Sequence, residues 1–237
     1  MKGERALDGI PFRWGGISHN RGHRSVEPEG GRMNRRWKFT NNTKTLSDGT
    51  ILHQIQATAD FILPDGFEVK SRDLGGWIEK KDNLKDCAWV FDDACVYGDA
   101  CVYDAAWVCD DARVFGDARV CGDAWVCGNA QVYGAARVCG DAWVCGDARV
   151  CGDAWVCGDA QILTIGPLGS RNDTTTFFVC KDGKIRASCG CFMGTLDEFR
   201  EKVIETHGDT KHALTYLKAA DLAELQIEIP EDWSVDE

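Results

Sequence analysis

From residue 88 to residue 162 the apolar positions keep one period. Val90, Val96, Val102, Val108, Val114, Val120, Val126, Val132, Val138, Val144, Val150, Val156 and Ile162 recur every six residues, and an alanine stands two places before each, from Ala88 to Ala160. A two-residue offset puts Ala and Val on the same side of an extended segment. The residue between them faces the other way. After each Val comes Cys or an aromatic residue and then, in most repeats, Gly-Asp, which supplies a bend: Gly admits positive φ and Asp bonds nearby backbone N–H groups. A helix is excluded, since a Gly in nearly every repeat would cost about 1 kcal/mol each. Strand and corner alternating at six residues predict a coil of stacked rungs, a β-helix.

The flanks follow other patterns. Residues 37–86 alternate around Ile51 to Ile55 between the turn signals Ser47-Asp48-Gly49 and Pro64-Asp65-Gly66, and predict a small β cap over the first coil. Residues 165–237 predict an α+β domain. Phe177 to Lys181 and Lys184 to Ser188 flank Asp182-Gly183 as a hairpin, Thr195-Leu196-Asp197-Glu198 is a capping box opening a helix to about His207, and a second helix runs from about Thr210 to Leu225. Residues 1–36 lack apolar periodicity and read as a flexible basic tail, with Met33 as an expected native start; the repeats are expected to occupy 87–164.

Charge separates the same segments. The chain of 237 residues has a formal charge of −11; residues 1–36 carry 8 basic and 4 acidic groups, whereas 87–164 carry 4 and 12. With 44% hydrophobic residues, no long apolar run and no signal peptide, a folded, cytoplasmic protein is expected, neither disordered nor membrane-bound. Most of the 13 cysteines sit at repeat spacing, unlike an irregular disulfide framework, which favours a compartment where thiols stay reduced.

Repeats such as Val114-Phe115-Gly116-Asp117-Ala118-Arg119, with Leu74-Gly75-Gly76-Trp77-Ile78-Glu79 ahead of them, resemble those of the left-handed β-helix, or hexapeptide-repeat, proteins, in particular YdcK-type members of enteric bacteria and prophages. The stretch Ile165 to Asp173, with Cys189-Gly190-Cys191-Phe192 and His207-Gly208, is similar to a C-terminal domain of phage hexapeptide-repeat proteins. The resemblance implies a mainly β chain with a triangular, left-handed coil of about four turns, three repeats to a turn, and commonly a homotrimer.

On that geometry residues 18 apart stack. One face then carries Trp89, Trp107, Trp125, Trp143 and Gln161; a second carries Cys95, Arg113, Gln131 and Arg149; a third carries Cys101, Arg119, Arg137 and Trp155. The Trp column, with Arg113 and Arg149, is the expected interface with another subunit, the C-terminal domain or a host protein. A bare aromatic strip would otherwise promote aggregation or stack flat ligands. The columns Cys109, Cys127, Cys145 and Cys121, Cys139, Cys157 read as apolar filler, because single-file thiols do not converge as a tetrahedral metal site requires. Neither metal nor cofactor is expected. Asp93, Asp111 and Asp147 are expected to satisfy corner backbone groups.

Hexapeptide-repeat acyltransferases and carbonic anhydrases use His residues of their coils, and residues 87–164 contain none. A binding protein is therefore expected rather than an enzyme. The remaining catalytic candidates are Cys191 and His207, as nucleophile and base; a buried thiol and a helix-terminal His interacting with the C-terminal dipole are the better account of them. The resemblance implies a phage role in host takeover or anti-defence. A nucleotide-type ligand is expected at Ser170, Arg171 and Asn172, with Thr174 and Phe192. The alternatives are an acidic DNA mimic, which the interspersed Arg residues weaken, a purely architectural protein and a transferase. Direct nucleic-acid binding is not expected of so acidic a rod.

Overall fold

A computed structural model describes residues 36–63, 66–158 and 161–229. The expectations for residues 1–35, Met33 included, lie outside the described residues, as do Pro64, Asp65 and Ala160. Five strands come first: β1 (Trp37–Thr45), β2 (Ile51–Ala57), β3 (Phe61–Ile62), β4 (Glu68–Val69) and β5 (Leu74–Ile78). Twelve two-residue strands follow at six-residue intervals, from β6 (Trp89–Val90) to β17 (Trp155–Val156). The chain visits three parallel sheets in rotation, so that Val114 pairs with Val96 and Val132, Val120 with Val102 and Val138, and Val126 with Val108 and Val144. The chain is mainly β, with a β-solenoid of about four turns. Each predicted face is a real sheet.

Every Val from Val90 to Val156 is fully buried, with the alanines beside it, and burying one such side chain contributes about 1.5–3 kcal/mol. Backbone bonds join successive turns, as in Trp107 N–H to Ala124 C=O at 2.9 Å and Cys109 N–H to Val126 C=O at 3.0 Å. The corner residue two places after each Val from Val90 to Val150 takes positive φ. Gly fills most of these positions, but Asp92, Asp104 and Asp110 adopt the same conformation. These Asp residues also reach the next turn: Gly122 N–H donates to Asp104 at 3.2 Å and Gly128 N–H to Asp110 at 2.8 Å. The role expected of Asp93, Asp111 and Asp147 is therefore taken by Asp104 and Asp110, which stand at the positive-φ corner position itself. Asp93 instead accepts from the Trp77 indole and Asp147 from the Asn129 amide.

The coil starts earlier than the Ala-x-Val pattern indicates. Ile78 pairs with Val96, and Leu84 bridges Val102; both are fully buried and hold the six-residue phase ahead of Val90. Gly75 and Gly76 permit this because a Cβ on Gly76 would lie 2.7 Å from the Ala94 carbonyl oxygen. Strands β1 and β2 extend the same sheet antiparallel, giving seven strands in all.

The coil also ends earlier. The six-residue period predicts Ile162 as a thirteenth rung, but it opens β18 (Ile162–Leu168), which pairs antiparallel with β19 (Asp173–Val179); β20 (Ile185–Cys189) and β21 (Phe192–Thr195) complete a four-stranded sheet. Alternate residues of β19 serve two cores. Phe178 enters the solenoid core, whereas Phe177 and Val179 pack with α1 (Leu196–His207) and α2 (Lys211–Gln226). A strand that plugs the coil end leaves no room for another rung. The hairpin, capping box and two helices lie where the sequence predicts.

Candidate functional site

The Trp column is graded from end to end. Trp89 is buried under Phe61, with ring centroids 5.3 Å apart, and Trp107 is buried beside Phe67 and Phe91. The N-terminal cap thus covers half of a column that the sequence predicts to meet another subunit, the C-terminal domain or a host protein. Trp125 is half-buried, and its indole N–H has no hydrogen-bond partner among the described residues. Trp143 is 51% exposed. Gln161 does not continue the column; its side-chain carbonyl accepts from Cys157 N–H at 2.8 Å.

The Arg residues diverge as well. Arg113 is exposed. Arg149 is half-buried against the C-terminal sheet, with its backbone N–H donating to Thr176 Oγ1 at 3.0 Å. On the third face the guanidinium of Arg137 lies over the Trp155 ring, 4.7 Å from its centroid, a cation–π contact.

Above Arg137, on the same face, is a groove of about 480 Å³ lined by Lys80, Lys85, Asp99, Cys101, Tyr103 and Arg119 together with Asp82 and Asp86. Lys80 is paired with Asp99, and Asp86 accepts from Asp104 N–H at 3.4 Å. Arg119 is exposed and has no ion-pair partner among the described residues. Burial, together with the Cys121 thiol beside it, pushes the Tyr103 hydroxyl up to about 12, so it stays a neutral donor at physiological pH. Of these groove residues the sequence places only Cys101 and Arg119, on the third face. Extending the six-residue phase back to Leu84 would have added Lys85, which then heads the corner column of Tyr103 and Cys121.

The predicted ligand residues fall in the β18–β19 turn, on β19 and on β21. Ser170, Arg171 and Asn172 are exposed in the turn joining β18 to β19. Arg171 lies against Gly190, where an added Cβ would meet its guanidinium. Thr174 lies against Gly166, and the Phe192 ring packs on Phe199 inside the second core, centroids 5.6 Å apart. Cys191 is exposed, while the His207 ring stacks on Tyr216 at 5.6 Å and faces His212.

The cysteines form corner columns as predicted, yet they are not all inert. Cys139 and Cys157, one turn apart, are joined as a disulfide. Cys127 is pushed up to about 11, first by its hydrogen bond with Cys109. Among the described residues Cys109, Asp110 and Cys127 bring two thiols and a carboxylate within 4.8 Å of one another. The expectation that stacked thiols cannot converge overlooked the corner carboxylate. No helix among the described residues is long and apolar enough to cross a membrane.

No curated protein matches the chain. Residues 112–128 and 130–146, two blocks from the middle of the coil, match the YdcK β-solenoid repeat. Their rungs share the rotation, buried Ala–Val pairs and corner geometry of the turns around them, so the matched repeats are similar to those of the YdcK-like β-solenoid family.

Proposed function

We propose that this chain is a non-enzymatic binding protein whose solenoid holds a nucleotide-type, phosphate-bearing ligand in the groove of Lys80, Lys85, Tyr103 and Arg119. One observation carries the reading: an exposed, unpaired Arg119 shares a groove with Lys85 and a neutral Tyr103 on an otherwise acidic rod. A phosphate would be held by the two cations, and a base would lie against the tyrosine ring. This replaces the 170–172 turn as the proposed ligand site. Resemblance to phage and prophage solenoid proteins supports a cytoplasmic role in host takeover or anti-defence, and a homotrimer.

The experiment is thermal unfolding with a panel of cyclic nucleotides and dinucleotides. A ligand present at a hundredfold its Kd stabilises by about 2.7 kcal/mol, which moves the midpoint by several degrees. The shift should vanish in Arg119→Ala. No shift with any member of the panel removes the reading. A second reading, a host protein docked on the exposed end of the Trp column, is favoured by the half-exposed Trp143. A pull-down unchanged after Trp125→Ala and Trp143→Ala would eliminate it.

A further inference from the structure

The corner column that begins with Phe91 continues as Cys109, Cys127 and Cys145, one residue per turn. The Cys109 and Cys127 sulfurs lie within 4.8 Å of each other, and Cys145 follows one turn on. Asp110 stands beside Cys109, its carboxylate steered by Gly128 N–H at 2.8 Å, and the Trp143 indole N–H donates to Cys127 Sγ at 3.4 Å.

We propose that Cys109, Cys127 and Asp110 form a site for a thiophilic divalent d10 cation of the zinc–cadmium class, with Cys145 next in line as a fourth donor. Three donor atoms within 4.8 Å of one another can close on an ion whose metal–sulfur bonds are about 2.3 Å and metal–oxygen bonds about 2.0–2.2 Å. Three protein ligands and one further position make a tetrahedral set. Binding replaces two thiol protons, released to solvent, with two metal–sulfur bonds. Thiolates select a soft ion over magnesium or calcium. Two further features favour the site over a bare thiol stack. Asp92, Asp93 and Asp111 crowd the same corner as Asp110 and offer a dication a negative field. The Trp143 N–H is placed to stabilise a ligating sulfur from the outer shell. The parallel column shows that such stacking brings sulfurs into reach, since Cys139 and Cys157 are bonded there.

The test titrates Cd²⁺ into the full chain, reduced and stripped of metal, following the ultraviolet thiolate-to-metal absorption. Cys127→Ser should remove one bound ion per chain, because it leaves Cys109 and Cys145 two turns apart. Cys191→Ser, which removes an exposed thiol outside the columns, should remove none. Asp110→Asn preserves the left-handed corner and both thiols, and should weaken Cd²⁺ binding by about tenfold or more. Retention of the full absorption and stoichiometry in Cys127→Ser would overturn the proposal. So would unchanged affinity in Asp110→Asn, or displacement of Cd²⁺ by Ca²⁺, which would reveal an acidic cluster alone. Should Cys127→Ser not fold, the affinity of Asp110→Asn decides.

Discussion

Trp143 lies stacked on Trp125, ring centroids 5.5 Å apart and planes 24° from parallel, and the two occupy very different surroundings from Trp89 at the top of the same column. Trp89 is 1% exposed and wedged under the cap, whereas Trp143 is 51% exposed. One residue type at one repeat position therefore has two energetic roles. Trp89→Ala should destabilise by about 3–5 kcal/mol, as for other large-to-small core changes, and Trp143→Ala by less than about 1 kcal/mol, the scale of a surface change. Denaturant unfolding of the two variants checks the ratio. Equal losses would mean that Trp143 is covered in solution, as in an oligomer.

Glycines of the coil should divide by what lies beneath them. A Cβ on Gly122 would meet the Gly140 backbone nitrogen at 2.8 Å, whereas one on Gly146 would meet nothing within 4 Å; both have φ near +70°. Gly146→Ala should cost only the left-handed backbone term, about 1–2 kcal/mol. Gly122→Ala adds a backbone clash between turns and should cost measurably more. Thermal melts of the pair separate conformational strain from steric contact.

What the sequence makes legible follows from how local each interaction is. The rungs are readable because a two-residue inward pair and a corner repeat identically, so any one turn reports on all. The capping box at Thr195 and the hairpin at Asp182-Gly183 are equally local. The ends of the coil are not. Phe61 over Trp89 and Phe178 in the solenoid core are contacts between segments with no shared period, and nothing in either segment announces its partner. Ile78 and Leu84 keep the period but lack the Ala two places before, Gly76 and Asp82 standing there instead, so a pattern requiring both residues stops too late. Lys85, which heads the groove beside the predicted Arg119, is missed with them. The thiol columns were visible, but the turn of Asp110 toward Cys109 arises from the corner's backbone conformation.

The C-terminal sheet should be indispensable for solubility. Phe178 and Cys180 are fully buried in the solenoid core, and Lys181 N–H donates to the Asp153 carbonyl at 3.3 Å. Removing the chain after Gly158 would expose the apolar end formed by Val144, Val150 and Val156 and unpaired strand edges, a template for end-to-end association. Light scattering should show the truncated chain aggregating at concentrations where the full chain does not. Phe178→Ala in the full chain should cost about 3–5 kcal/mol while keeping it soluble.

The start of α1 provides a pH signature that isolates one local interaction. The Glu198 carboxylate accepts from Thr195 N–H at 2.8 Å and from the Thr195 hydroxyl at 3.0 Å, and these bonds, the backbone one foremost, hold it below its ordinary value. The folded state thus binds the proton less well than the unfolded one. The stability this contributes is present above the ordinary glutamate value, about 4.3, and is lost as pH falls through the lower folded value. Glu198→Ala should melt earlier than the parent at neutral pH, and the gap should close as the pH drops below about 4. Glu198→Gln keeps the reciprocal hydrogen bonds without the charge, so its gap from Glu198→Ala should persist into acid. A parent–alanine gap constant down to pH 2 would show that helix propensity or packing, rather than the ionised cap, accounts for the difference.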